Sequence, residues 1–349
     1  MLIIPLVSAK PRDSYLVDFI YSEQVGDESF GNSYQETAQA LEILDYFDAF
    51  TVEGFFGAEN KVDVPTLADN LDDKLTEMFD DETVNLYDLY GILKSLTYLN
   101  YKIDSGLSLD IYNYINTSGL VSGGFAPTNT SKAVNVVSTF YAYQIYNLLE
   151  VDMPNKSIHT NWLLSCENTD GGYGSNSSLS STLLTTYQVV ILINGLTGSV
   201  NNLANKTATL EYLTSFYMSD TSDINNYGGY LPDITALIVL LSSSFICLDS
   251  IGLIDSTELH QDPTSNLVLS RQNFLDGGFS DKITGNYQEL SSITTSYYAF
   301  KILLSFDSLD LLNEEIFMVE LNYIILIVVL LAIVILVVVA YWIWRKRKI

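Results

Sequence analysis

Side chains able to do chemistry are few in this sequence, and poorly spaced for it. There are two histidines, His159 and His260, and two cysteines, Cys166 and Cys247, the latter 81 positions apart. That spacing excludes a disulfide-stapled miniprotein and a cysteine-rich zinc module. Both histidines fall on or before segments expected to face solvent, so they read as surface side chains, and Cys247 reads as a small core hydrophobe. The paired acids Asp72-Asp73 and Asp80-Asp81 lie in ADNLDDKLTEMFDDE, the pattern of a solvated helix face. Two carboxylates facing across a cavity could act on a glycosidic bond. Asp233, Asp281 and Glu289 are the candidates, although each sits where N-capping or loop solvation would also place an acid. No Ser-His-Asp set and no phosphate-cradling glycine loop occurs. What remains is aromatic and hydroxylic: Tyr34, Tyr87, Tyr90, Tyr141, Tyr187, Tyr297 and Tyr298, with Thr139, Thr186 and Thr295. Tyrosine joins a large apolar area to a polar tip, which suits a binding cavity as well as a filled core. The expected cavity or ligand residues are Tyr34, Tyr87, Tyr141, Tyr187, Asp233, Thr295 and Tyr297. No catalytic residue, metal ligand or cofactor is expected.

These residues stand at the starts of recurring elements. A glycine pair followed by an aromatic appears at Gly123-Gly124-Phe125, Gly171-Gly172-Tyr173, Gly228-Gly229-Tyr230 and Gly277-Gly278-Phe279, with a weaker copy at 27–31. A degenerate unit without glycines fits around residues 60–100. Six units of about fifty residues therefore fill 13–308. In each, a partly polar stretch precedes the glycine turn and a nearly all-apolar stretch follows the loop. The second stretches start at Tyr34, Tyr87, Thr139, Thr186, Ile234 and Thr295, and a first stretch is seen at 267–275. Helices that are apolar all round must be buried. Paired helices of this kind must stack, and an inner set with no polar face favours a closed ring over an open superhelix.

The run from Arg271 to Phe279, followed by Thr294 to Ala299, resembles the repeat of protein prenyltransferase β subunits and of squalene and terpene cyclases. The run from Ser165 to Gly174 with Thr186-Tyr187 is similar. The resemblance implies an all-α fold, an (α/α)6 toroid of six helical hairpins around a cavity. It also implies chemistry that this sequence fails to match. Zinc in the prenyltransferases needs an Asp and a Cys two apart plus a His one repeat later. Here the corresponding residues are Asp233, Thr235 and Thr295. The Asp-x-Asp-Asp of protonating cyclases, the Asp-Asp-x-x-Asp of ionising cyclases and the Gly-Cys-Gly-Glu-Gln of thioester proteins are absent.

The composition adds topology. The 349 residues carry a formal charge of −26, yet Arg345, Lys346, Arg347 and Lys348 crowd the end, leaving 12 basic residues against all 42 acids elsewhere. Such a body repels nucleic acid. Residues 13–90 hold 20 of the acids against Lys61 and Lys74, which marks them for a basic partner or for divalent cations. Residues 323–344 are 22 positions without a charge, flanked by Tyr323, Tyr341, Trp342 and Trp344. As a helix they would span roughly 33 Å, enough for one membrane crossing, with the basic tail 345–349 cytoplasmic. Residues 1–9 read as the remnant of an export signal and 309–322 as a short juxtamembrane segment. The expected protein is thus a single-pass cell-membrane protein with its toroid outside, binding an extracellular ligand or protein partner without catalysis. A prenyltransferase-like, cyclase-like or glycan-active enzyme and a structural surface protein are the alternatives. Sequons at Asn116, Asn129, Asn155, Asn176 and Asn205 are candidate glycosylation sites.

Overall fold

The computed structural model describes residues 9–54, 57–281, 283–284, 287–288 and 290–317. The expected span 323–344, the basic tail and all but the last residue of 1–9 lie outside these. Among the described residues, no helix is long and apolar enough to cross a membrane.

Twelve α-helices alternate between an outer and an inner set among the described residues. The outer helices are α1 (Arg12–Ser22), α3 (Val64–Asp80), α5 (Ser105–Ser118), α7 (Lys156–Leu164), α9 (Lys206–Thr214) and α11 (Gln261–Ser270). The inner helices are α2 (Tyr34–Tyr46), α4 (Leu86–Tyr98), α6 (Val136–Leu148), α8 (Leu183–Thr197), α10 (Leu241–Asp255) and α12 (Ile293–Ser305). Each inner helix packs on the next, and α12 packs on α2, so the ring closes. Short hairpins β2 (Thr51–Gly54) with β3 (Gly57–Asn60) and β4 (Ile283–Thr284) with β5 (Tyr287–Gln288) decorate the connections.

Local chemistry starts the inner helices. Ser33, Asn85, Asn135, Thr182 and Ser292 each cap one by accepting a backbone N–H from its first turn. α10 is the exception. Its N-cap is Leu240, and the Leu241 N–H donates instead to Asp281 Oδ1 of the next repeat at 2.7 Å. This inner helix therefore begins at Leu241 rather than at Ile234. The apolar run from Ile234 is loop, with Ile234 and Leu237 more than four-fifths exposed, held by Asn226 contacts to Leu237 O and Val239 N. Likewise α11 stops at Ser270, so 271–275 belong to the turn and not to the helix.

The glycine motif joins one unit to the next. In four repeats, the aromatic N–H donates to a hydroxyl at the fourth position of its own inner helix: Phe125 to Thr139, Tyr173 to Thr186, Tyr230 to Ser244 and Phe279 to Ser296. Phe30 does the same with Thr37 in the weaker copy. The degenerate second unit has Leu89 at this position. The first glycine of each pair has positive φ and abuts the following outer helix. A Cβ at Gly171 would run into the Ala208 carbonyl, and one at Gly277 would lie 2.5 Å from the Tyr15 carbonyl of α1. The last unit thus uses on the first the joint that links the units between.

The seam is reinforced. Strand β1 (Ala9–Pro11) pairs antiparallel with β6 (Glu315–Phe317). Arg12 donates to Glu314 Oε2 at 3.0 Å and to Gln272 Oε1 at 3.1 Å. Leu309 and Leu312, in the 3-10 turn Leu309–Asn313, are buried. Residues 309–317 accordingly pack on the ring instead of leaving it at 308 as a free tether.

Candidate functional site

The six inner helices run the same way, because residues at matching distances from their starts line one central cavity of about 310 Å³. At first-turn positions stand Gln35 and Leu184, the latter half-exposed at the mouth. Below them runs an aromatic belt. Tyr90 meets Tyr141 at 5.3 Å between ring centroids, Phe140 meets Tyr187 at 6.1 Å, and Tyr187 meets Phe245 at 6.0 Å. Phe245 then meets Tyr298 at 5.7 Å, and Tyr298 meets Tyr297 at 5.9 Å. The belt breaks only at α2, which contributes Ala38 and Gln39.

A polar layer forms the floor. The ninth residue of each inner helix reads Glu42, Lys94, Gln144, Ile191, Asp249 and Lys301 around the ring. Lys94 Nζ lies 2.6 Å from Glu42 Oε2, Lys301 Nζ lies 2.8 Å from Glu42 Oε1, and the Tyr297 hydroxyl donates to Glu42 Oε2 at 3.0 Å. The Lys94 ammonium also sits over the Tyr90, Tyr98 and Tyr297 rings at 5.6 to 5.9 Å. Burial works to raise the Glu42 carboxyl, but the two ammonium groups prevail and hold it down at about 2. Burial likewise opposes the charge on Lys94, yet Tyr90 and Glu42 keep its ammonium above the ordinary lysine range. Asp249 differs: burial raises its carboxyl against the opposing pull of Lys301 and a hydrogen bond from Tyr187.

These shifts fix what the floor can do. Glu42 is an anion with no proton to give, and Lys94 is a cation with no lone pair to offer. The one cavity acid pushed toward its neutral form is Asp249. Gln188, in the second turn of α8, is 2% exposed, and its Oε1 has no hydrogen-bond partner among the described residues.

The tyrosine expectations divide. Tyr141, Tyr187 and Tyr297 line the cavity with Tyr90 and Tyr298. Tyr87 stands at the rim, edge-on to Tyr141 at 5.2 Å. Tyr34 points the other way, into an acidic surface groove with Asp27, Asp73, Lys74, Glu77, Asp80 and Asp81. Asp233 is in an exposed loop, its Oδ1 accepting from the Thr235 N–H at 2.7 Å. Thr295 forms a capping box with Ser292. Thr139 and Thr186 hold glycine turns. None of these last four reaches the cavity, because helix and turn caps consume them. Asp281 caps α10, and Glu289 lies outside the described residues. His159 is buried, not at the surface: its Nδ1 accepts the Gly124 N–H at 3.0 Å, and burial lowers its pKa. His260 stacks on Tyr217 at 4.1 Å.

The zinc pattern fails on geometry as well as on residue type. Asp233 and Thr235 bond each other eight and six residues ahead of α10, and Thr295 is used as a cap. Among the described residues, no three His, Cys, Asp or Glu side chains group to hold a metal. Burial pushes the Cys166 thiol up to about 11 and Cys247 further, so neither is a ready thiolate.

A family model, the prenyltransferase alpha-alpha toroid domain, matches residues 59–156 and 130–313. The chain belongs to that family. Among solved structures, protein geranylgeranyltransferase-I from Candida albicans, complexed with GGPP, aligns at TM-score 0.56 with 16% identity, covering 90% of each chain. A type II terpene cyclase from Scytonema aligns at 0.55 with 10% identity, over 84% of this chain and 96% of that one. A protein from Actinoplanes aligns at 0.53 with 11% identity, over 87% and 99%. At these identities the likeness is one of fold. A search of curated proteins found no match.

Proposed function

We propose that this member of the toroid family is a membrane-anchored extracellular protein that binds a small ligand in its ring without transforming it. The observation that carries the reading is the floor of the cavity. Its two cations, which could have gripped a charged leaving group, are both engaged by Glu42, and Glu42 is thereby removed as an acid. Geranylgeranyl transfer and terpene cyclisation are the activities named for the similar structures; for the first this floor has no cation left unengaged, and for the second it holds one acid, Asp249, pushed toward its neutral form. Asp249 favours the second reading, an enzyme with a single general acid.

The anchor rests on the uncharged run 323–344 and the four basic residues after it. Phe317 pairs with Ala9 just ahead of α1, on the face opposite the cavity mouth. Five residues, 318–322, reach at most roughly 18 Å. A span starting at 323 would therefore hold the back of the ring to the bilayer and turn the mouth outward. Asn129, Asn155 and Asn205 are exposed, though Asn205 accepts the Ala208 N–H as the cap of α9, and Asn116 accepts the Tyr146 hydroxyl.

The test uses the full chain expressed in membranes. Retention after carbonate extraction, protease access to the ring and protection of the basic tail are expected. Incubation of the purified chain with geranylgeranyl diphosphate and zinc should return the substrate unchanged. A released product overturns the non-catalytic reading, and solubility at alkaline pH overturns the anchor.

A further inference from the structure

We propose that the mouth face of the fifth and sixth units docks a protein partner through a segment that joins apolar side chains to lysine or arginine. Exposure marks the surface. Among the described residues, six large apolar side chains are four-fifths or more exposed: Val121, Ile224, Ile234, Leu237, Leu275 and Leu290. No other among them passes 58%, the value for Leu109. All six lie in connections that lead from an outer helix to an inner one, so all stand on the face that carries the cavity mouth. Val121 is alone on the third unit, and the other five share the fifth and sixth. Hydrogen bonds gather these five. Asn226 Nδ2 donates to Leu237 O at 3.1 Å, which brings the turn of Ile224 against the loop of Ile234 and Leu237. Arg271 Nη2 donates to Asn225 O at 2.6 Å and ties that turn to the next unit. There Asp276 accepts from Ser291 Oγ at 2.8 Å, so their chain neighbours Leu275 and Leu290 come together. Single apolar residues are ordinary on a surface, but a contiguous patch of several hundred Å² marks a place of interaction.

Charge selects the partner. From 215 to 241 the chain has the acids Asp220, Asp223 and Asp233 and no basic residue. From 270 to 293 it has Asp276, Asp281 and Glu289 against Arg271 and Lys282, and Arg271 is buried. Asp220 and Asp233 are exposed, and hydrogen bonds from Ser222 and Thr235 hold their carboxyls below the usual range, so both are anions at neutral pH. An apolar patch interspersed with acids complements apolar side chains flanked by cations. It repels an anionic lipid surface. It also repels a second copy of this chain, which would bring the same acids against themselves in a protein of net charge −26. The five residues stand beside the mouth and none of them lines the cavity, so the inference holds whatever the ring contains.

The experiment is selection of a displayed random-peptide library on the purified full chain, with the enriched peptides then titrated calorimetrically into wild type and Leu237→Ser/Leu275→Ser. Enriched peptides are expected to combine Leu, Ile or Phe with Lys or Arg. Their affinity should fall about tenfold or more in L237S/L275S, through the loss of two apolar contacts. The melting temperature of that variant should match wild type, because both side chains stand in water in the free protein. Asp220→Asn/Asp233→Asn keeps the oxygen acceptors of both turns, and should weaken the peptides about threefold and flatten their salt dependence. An empty selection, enrichment of acidic peptides, or binding that survives L237S/L275S overturns the proposal. Flotation with phosphatidylcholine vesicles that L237S/L275S weakens would make the occupant a lipid surface. Self-association that the same variant abolishes, read by analytical ultracentrifugation, would make it a second copy. Either result overturns the protein partner.

Discussion

Glu42 and His159 show how burial and partners set the charge of single residues in this ring, and both carry a measurable consequence. Glu42 bridges Lys94 and Lys301 across α2, α4 and α12. Glu42→Gln leaves two buried ammonium groups facing each other, and urea unfolding should report a loss of about 3–5 kcal/mol. Replacing all three by apolar residues of similar size (E42L, K94M, K301M) should restore most of it, because the desolvation penalty disappears with the charges. The folded pKa of Glu42, about 2, lies below the unfolded value of 4.5. Its contribution is therefore complete above about pH 4.5 and is lost as the pH falls toward 2. A melting-temperature profile over that window should be steeper for wild type than for E42Q. His159 acts at milder acidity. Burial depresses its pKa below 6.5, and its Nδ1 must stay unprotonated to accept from Gly124. Stability from this group is present above pH 6.5 and falls away as the pH drops below it. The corresponding fourth position of α9 and α11 holds Thr209 and Thr264, which bond the Gly171 and Gly228 carbonyls at 3.0 and 2.6 Å. His159→Thr should accordingly flatten the melting-temperature slope between pH 7 and 5.

At the scale of elements, the repeat was legible wherever a local steric rule dictates a residue. Glycine pairs and the following aromatic mark the joints because no Cβ fits against the next outer helix. Two changes separate that rule from simple left-handed backbone. Gly171→Ala adds both strain at φ 82° and a clash with α9, and should cost about 3 kcal/mol by chemical denaturation. Gly198→Ala, at φ 77° with open space around it, should cost only ~1 kcal/mol. Five inner helices start within three residues of their expected positions for the same local reasons, a capping side chain and an apolar run. The sixth was misplaced by seven residues, because its cap comes from Asp281, forty positions downstream, and because an apolar loop preceding it has the composition of a helix. The site followed the same division. Tyr141, Tyr187 and Tyr297 could be picked out as aromatics near helix starts. Glu42, Lys94, Gln144, Asp249 and Lys301 could not, since nothing local sets any of them apart from the other polar residues of its helix. Only alignment of the six helices by their first residues shows that they form one layer. Gln188 carried no signal at all, because an orphaned acceptor is a property of packing.

For the whole molecule, the question is whether the ring behaves as a closed cycle or as a stack that happens to meet. A linear array of repeats frays from its ends, because terminal units have one neighbour only. Closure removes the ends, and here the closing joint has the same parts as the internal ones plus an addition. Gly277 lies against Tyr15 as Gly171 lies against Ala208, while β1–β6 and Arg12 bind the first unit to the last. Glu314 is mostly exposed, so its ion pair with Arg12 contributes little by itself. The Gln272 contact and the backbone bond from Arg12 N to Glu314 O at 3.1 Å give the seam its specificity. Arg12→Ala should therefore cost only about 1–2 kcal/mol globally, through the lost hydrogen bonds and the packing of the arginine stem. Its effect on hydrogen exchange should be uneven. Amides of α1, α11 and α12 should exchange faster by an order of magnitude or more, since opening the seam gives the ring two free ends. Amides of α6 and α8, half a turn away, should keep wild-type protection. Uniform loss of protection around all six units would mean instead that the ring opens only by global unfolding. That outcome would make the six repeats one cooperative body rather than a cycle with a breakable joint.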